Sequence, residues 1–228
     1  MGNGIWWVAN VGVLVVAYLL GSLPSGYLAG KLLKGIDIRE QGSGSTGATN
    51  VLRTVGKGPA AVVLAADILK GVAAVLFVRW LGNLPTLIAL APSAESLTIW
   101  IPWLATLAGL AALLGHSRSI WLKFTGGKSV ATGLGVLLTL DWQVGLATLG
   151  VFVILLALFR IVSLGSIAAA FAVGILMVAL QKPLAYQLFA VTAGAYVILR
   201  HRGNIQRLLA GTEPQIGQKL PQSEEAQS

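Results

Sequence analysis

Long apolar runs separated by short polar patches dominate the chain. The runs at 5–28, 59–78, 97–114, 144–159, 164–180 and 184–199 approach the ~20 residues that one helix needs to cross a bilayer. The strands of an outer-membrane barrel would alternate apolar and polar residues instead. The pattern therefore predicts an all-α integral membrane protein. One stretch needs separate treatment. Residues 129 to 159, which lie between Lys128 and Arg160, are 31 in number and make only about 46 Å of helix. That is too short for two full crossings, so a hairpin of two short or tilted helices is expected, turning near Asp141-Trp142. Such thin elements are tolerated where protein buries them. Counting the hairpin, seven transmembrane helices are expected, some of them short. Residues 82–96, with Pro85 and Pro92, read as an outside loop.

Composition agrees with the pattern: of 228 residues 56% are hydrophobic and 11% charged, and the mean hydropathy is +0.80. No soluble domain with a wet surface has that balance. The sixteen cations fix the expected orientation, because short cytoplasmic loops retain Lys and Arg during insertion. Lys31, Lys34, Arg39, Arg53 and Lys57 follow the first run. Arg118, Lys123 and Lys128 follow the third, Arg160 stands alone, and Arg200, Arg202, Arg207 and Lys219 follow the last. These are assigned to the cytoplasm, leaving Arg79 and Lys182 outside and Lys70 within a run, so the N-terminus is expected out and the C-terminus in. Residues 1–211 read as one transmembrane domain. Residues 212–228, ending QSEEAQS, read as a disordered cytoplasmic tail. The chain has no cysteine, which excludes disulfides and thiolate chemistry, and its two histidines lack the spacing of a metal site. No metal, cofactor or nucleic-acid partner is expected.

The polar patches collect on the expected cytoplasmic face: GSGSTGATNVLR (42–53), KFTGGKSVATG (123–133), RIVSLGS (160–166) and RHRGNIQRL (200–208). Each joins glycine with hydroxyls and a cation, the groups that hold phosphate oxygens. Soluble phosphate motifs do not account for them. Gly42-x-Gly44-x-x-Gly47 lies in no βαβ unit, and a P-loop ending at Gly127-Lys128-Ser129 would need glycine where Leu122 stands. Gly109, Gly133, Gly135 and Gly174 read as helix-packing glycines. Asp67 and Lys70, three apart within a run, share a helix face and read as a structural ion pair. His201 and Asn204 share a turn beside the clusters, while Arg207 reads as a surface cation facing anionic lipid. A carrier for a phosphorylated solute would also use buried charge and broken helices, but it needs a site reachable from both sides. A purely structural scaffold leaves the four clusters unexplained.

These segments resemble the bacterial membrane glycerol-3-phosphate acyltransferases that use acyl phosphate as donor, the PlsY family. The likeness runs in order from Gly21 to Gly217, through ATN-x-x-R, GGK and HR-x-N, and takes in HRGNIQRLLAGTE at 201–213. It implies a multi-pass protein of the bacterial inner membrane with its active site open to the cytoplasm. The implied reaction transfers a fatty acyl group to glycerol 3-phosphate, giving lysophosphatidic acid, the first step of phospholipid synthesis. A soluble acyl-phosphate synthase would supply the donor, and membrane lipid would surround the enzyme. By the same resemblance Ser43, Arg53, Lys128, His201 and Asn204 form the catalytic set. Thr49, Asn50, Gly126, Gly127 and Ser166 bind substrate. The chain departs from the family's pattern at Ser45, where asparagine is usual, at Ser129, where glycine follows GGK, and at Gly203, where an acid is common. Arg118-Ser119-Ile120 replaces a usual aromatic–proline pair. An acyl phosphate carries its own leaving group, so no covalent nucleophile is needed. The acceptor's proton goes either to His201 or, preferably, to the donor's own phosphate.

Overall fold

The computed structural model describes residues 2–91 and 93–218, and the described residues contain helices joined by short turns, with one isolated bridge between Ser119 and Thr125. Lys219 and the remainder of the expected tail, like Pro92, lie outside them. Helix α1 (Gly2–Ser22) leads into α2 (Ser25–Lys34), a 3-10 turn at Ile38–Glu40 and α3 (Ala48–Thr54). Then come α4 (Lys57–Gly82), α5 (Pro85–Leu90) and α6 (Ala94–Ser117), and after a 3-10 turn at Ile120–Leu122 the hairpin of α7 (Val130–Leu140) and α8 (Trp142–Phe159). The chain closes with α9 (Val162–Ala179), α10 (Leu184–Arg200) and α11 (Arg202–Leu209).

Among the described residues five segments are long and apolar enough to cross a membrane: Gly4–Lys34, Lys57–Gly82, Leu97–Ser117, Trp142–Phe159 and Val162–Ala179. Val130–Leu140 and Leu184–Arg200 are shorter apolar helices. The expected hairpin turns where its length required. Asp141 accepts from Val144 N–H at 3.0 Å to cap α8, and pairs with Lys182 at 2.7 Å.

Two expectations need correction. The first run does not continue unbroken to residue 28. Pro24 lacks an N–H and cannot extend α1, so the chain breaks after Ser22 and restarts as α2. That break leaves the Leu23 carbonyl without a helical partner, and Lys70 Nζ donates to it. Lys70 also bonds Asp67 at 2.6 Å and Ser25 Oγ at 2.9 Å, so the buried ion pair braces the break between α1 and α2. The expected loop at 82–96 is also partly helical. Pro85 opens α5 at a position where its missing N–H costs nothing, and α6 begins at Ala94.

The core lies between α1, α4, α6, α7, α8, α9 and α10, with Ala17, Ala74, Ala108, Val136, Val144, Met177 and Phe189 fully buried or nearly so. Helix α7 is threaded against α4 at backbone distance. A Cβ at Gly135 would lie 2.0 Å from Ile68 O, and one at Gly71 2.1 Å from Thr132 O, so glycine is required at both. Of the four glycines expected to pack helices, Gly135 and, against Val136 and Phe189, Gly109 do so closely, whereas at Gly133 and Gly174 a Cβ would make only ordinary contact. The C-terminal end of α7 is fixed at the level of Arg79, which donates to Leu140 O at 3.4 Å, and of Lys182. Eleven residues cover about 16 Å, so the opposite end of α7 starts well inside the bundle.

Candidate active site

Three loops meet at the end of the bundle opposite Arg79 and Lys182. The first, between Asp37 and Ala48, is organised by Asn50, which is 1% exposed. Asn50 Oδ1 accepts from Ser43 N–H at 2.9 Å, and its Nδ2 donates to the carbonyls of Ile38, Gln41 and Ser45 at 3.1, 2.9 and 2.9 Å. Every polar atom of this side chain is occupied by main chain. Asn50 borders the cavity described below and also holds the loop that presents Ser43, while α3 presents Thr49 and Arg53. Ser45 accepts from Gly47 N–H at 3.3 Å, a local turn that accommodates the departure at this position.

The second loop brings Lys128. Before it, Gly126 and Gly127 press against His116 at the end of α6: a Cβ would lie 2.3 Å from His116 O at Gly126 and 2.2 Å from His116 Nε2 at Gly127. Gly127 N–H donates to His116 O at 3.2 Å, and Arg200 Nη2 donates to Gly127 O at 3.1 Å. Neither glycine borders the cavity described below; both pack against His116 and carry the main chain to Lys128. Ser129 follows at φ 62°, a left-handed conformation that costs a residue with a Cβ about 1–2 kcal/mol. Its Oγ donates to Leu113 O at 2.7 Å, which offsets that cost. The left-handed backbone explains why glycine is the usual residue there.

The third loop joins α10 to α11 and brings His201 and Asn204. Together the loops wall a cavity of about 340 Å³. One part of its wall carries Ser43, Arg53, Lys128, His201, Asn204 and Glu213, with Thr49 and Ser166 beside them; another is apolar, with Leu134, Leu137, Phe152, Val173 and Phe189. Lys128 Nζ donates to Asn204 Oδ1 at 2.6 Å, and Asn204 Nδ2 donates to Glu213 Oε1. Ser163 Oγ donates to the same oxygen at 2.6 Å, and Arg207 Nε to Glu213 Oε2 at 2.7 Å. Arg207 is thus a partner of Glu213, which corrects its reading as a lipid-facing cation.

Glu213 also corrects the expected tail. Its side chain is 4% exposed, and Arg160 and Ile216 exchange hydrogen bonds of 2.8 and 3.0 Å. Residues 212–218 therefore pack against the bundle. Glu213, Ser163, His116 and Arg200 were not among the expected site residues. For Glu213 the available signal was the family-like segment 201–213, which ends on it.

The electrostatics suit an anion. Burial lowers the Lys128 ammonium to about 8; Glu213 opposes this, while Arg207, Arg53 and Arg200 add to it. Burial likewise lowers Arg53, which stays cationic. Against burial, which raises it, hydrogen bonds from Ser163, Asn204 and Arg207 hold the Glu213 carboxyl below its ordinary range. Burial pushes His201 down to about 4, despite the opposing bond to Val197 O at 2.7 Å. A carbonyl only accepts, so His201 Nδ1 carries the proton and Nε2 keeps a free lone pair. Among the described residues no group of three or more acidic, histidine or cysteine side chains has the arrangement of a metal site.

The protein is thus a helical membrane bundle with cations set around the polar part of an otherwise apolar cavity. Residues 11–211 match the family described as glycerol-3-phosphate acyltransferase, and the chain belongs to that family, the PlsY family of membrane acyltransferases. It is 64% identical over 217 residues to the glycerol-3-phosphate acyltransferase of Trichormus variabilis, covering 95% of this chain and 96% of the relative. It is 57% identical to glycerol-3-phosphate acyltransferase 2 of Rhizobium johnstonii, covering 93% and 98%. Crystal structures of PlsY (YgiH), an integral membrane glycerol 3-phosphate acyltransferase, superpose with TM-scores of 0.79 for the glycerol 3-phosphate form and 0.76 for the lysophosphatidic acid form. Each is 36% identical and covers 92% of this chain and 96% of the other.

Proposed function

We propose that the protein transfers a fatty acyl group from acyl phosphate to glycerol 3-phosphate, releasing phosphate and giving 1-acyl-glycerol 3-phosphate, the first step of phospholipid synthesis. The observation that carries this reading is the placement of Lys128 and Arg53 on the wall of a cavity that is otherwise largely apolar. The apolar wall suits an acyl chain, and the two cations suit the phosphates of donor and acceptor. In the reaction the acceptor's hydroxyl oxygen bonds to the carbonyl carbon, the carbonyl–phosphate C–O bond breaks, and phosphate departs. Catalysis comes from holding two anions together and stabilising the charge that develops on the carbonyl oxygen and leaving group.

Ser43 and Asn204 orient the acceptor hydroxyl. His201, neutral and with Nε2 unprotonated, accepts a hydrogen bond from it. With a pKa of about 4, His201 is a weaker base than the donor's phosphate, whose second pKa is about 6 by analogy with phosphate esters. The hydroxyl proton accordingly leaves with the phosphate. Thr49 and Ser166 border the cavity where that phosphate would lie.

In the same reading the chain crosses the bacterial inner membrane seven times, α7 and α10 included, with the N-terminus out, the C-terminus in and the cavity open to the cytoplasm. Acyl phosphate comes from a soluble synthase. Palmitoyl phosphate and glycerol 3-phosphate supplied to the purified protein should give lysophosphatidic acid and phosphate by mass spectrometry. Palmitoyl-CoA should give none, and Arg53→Ala and Lys128→Ala should each lose more than about 100-fold. Product from the CoA ester, or full activity in both variants, would overturn the proposal.

A further inference from the structure

His116 closes α6 outside the cluster of Lys128, Asn204 and Glu213, yet it is buried and borders the same cavity. Its carbonyl accepts from Gly127 N–H, and its ring lies so near the main chain at 127 that no side chain fits between them. On its other side, Nδ1 stands 3.6 Å from Asp67 Oδ1, beyond hydrogen-bond length, so that the ring packs beside the carboxylate. That carboxylate oxygen is itself held by Ser25 Oγ and Lys70 Nζ, both at 2.6 Å. The charged groups around His116 are Asp67 and Lys70 on α4 and Arg200 on α10.

A turn with two adjacent glycines has more backbone freedom than any other pair of residues provides. Here three restraints remove that freedom: His116 lies beneath the turn, Arg200 grips its carbonyls from α10, and Ser129 is tied to Leu113 just beyond it. Lys128 grows from the end of this turn. We infer that His116 is a positioning residue for the transfer: packed beside Asp67, its ring is the floor on which the Gly126–Gly127 turn rests, and it thereby sets where the Lys128 ammonium stands in the cavity. The inference rests on the reading of this cavity as the glycerol 3-phosphate site.

The test uses the full-length protein in lipid nanodiscs, with steady-state kinetics and equilibrium binding of glycerol 3-phosphate. His116→Ala should raise KM and Kd for glycerol 3-phosphate roughly tenfold while kcat stays within about threefold, and His116→Gln should recover most of the loss. Because His116 acts through Lys128, the double variant with Lys128→Ala should bind no more weakly than Lys128→Ala alone. Should His116→Ala fail to fold, His116→Asn, smaller than the imidazole but still polar, should show the same split between KM and kcat. An unchanged KM, or additive losses in the double variant, would overturn the positioning role. Wild-type protein that binds no glycerol 3-phosphate would overturn the functional reading itself, a result visible before any variant is made.

Discussion

At the scale of single residues, Lys128 and His201 divide the labour by charge. Lys128 sits near 8 in the free protein, and an anion beside it raises that value. Below pH 8 the lysine is already charged, so acceptor affinity does not change on its account. Above pH 8 binding must take up a proton, so KM for glycerol 3-phosphate should climb, approaching tenfold per pH unit. On the acid side the acceptor's phosphate loses its second charge near pH 6, which leaves a window of low KM between about 6 and 8. His201 contributes no inflection within that window, since it is neutral throughout. His201→Gln should keep turnover within about tenfold at saturating substrates; a loss beyond ~100-fold with binding intact would assign the proton to the histidine. The cations and polar partners of this site were legible as residue types in spaced clusters. The main-chain contacts of Asn50, Gly126 and Gly127 were not legible, because amides and glycines serve main chain and ligands alike.

At the scale of elements, α7 carries the argument. Its shortness followed from counting residues between Lys128 and Arg160, and its turn lies at Asp141, the only charged residue in that stretch. The break after α1 was equally written in Pro24, but mean hydropathy runs smoothly across it, so a count of apolar residues passes over it. Glu213 was hidden for the opposite reason: a polar segment following the last apolar run looks like tail until a buried ligand for it is known. Helix α7 also transmits errors. Gly135→Val places carbon against the Ile68 carbonyl and should cost about 3 kcal/mol by overpacking, seen in thermal unfolding. Since Ser129 and Lys128 are rooted at the other end of the same helix, the surviving folded protein should also show a raised KM for glycerol 3-phosphate. Normal unfolding and KM in this variant would contradict the close α4–α7 approach.

At the scale of the whole molecule, charge separates the two ends of the bundle. Arg79 and Lys182 meet the α7–α8 turn at one end, and the cationic loops gather around the cavity at the other. The orientation in the membrane can be measured directly, because the chain has no cysteine of its own. A single cysteine at Asn83 should react with an impermeant maleimide in intact cells or spheroplasts. One at Lys123 should react only after the membrane is opened. The reverse pattern would invert the proposed topology.

The depth of the site has a consequence of its own. In the proposed orientation one end of α7 lies near the outer surface, and with about 16 Å of helix beyond it the main chain of Lys128 is rooted roughly two-thirds of the way across a ~30 Å hydrocarbon core, its ammonium reaching Asn204. An acceptor carrying almost two negative charges must move the remaining part of that depth from the cytoplasm, whose interior-negative potential drives anions outward. One charge crossing a full 100 mV changes energy by about 2.3 kcal/mol, so two charges crossing a quarter of the field gain roughly 1 kcal/mol. In the proposed orientation, an energised membrane helps load the enzyme that builds it, and collapse of the potential slows the supply of new lipid before any substrate runs short.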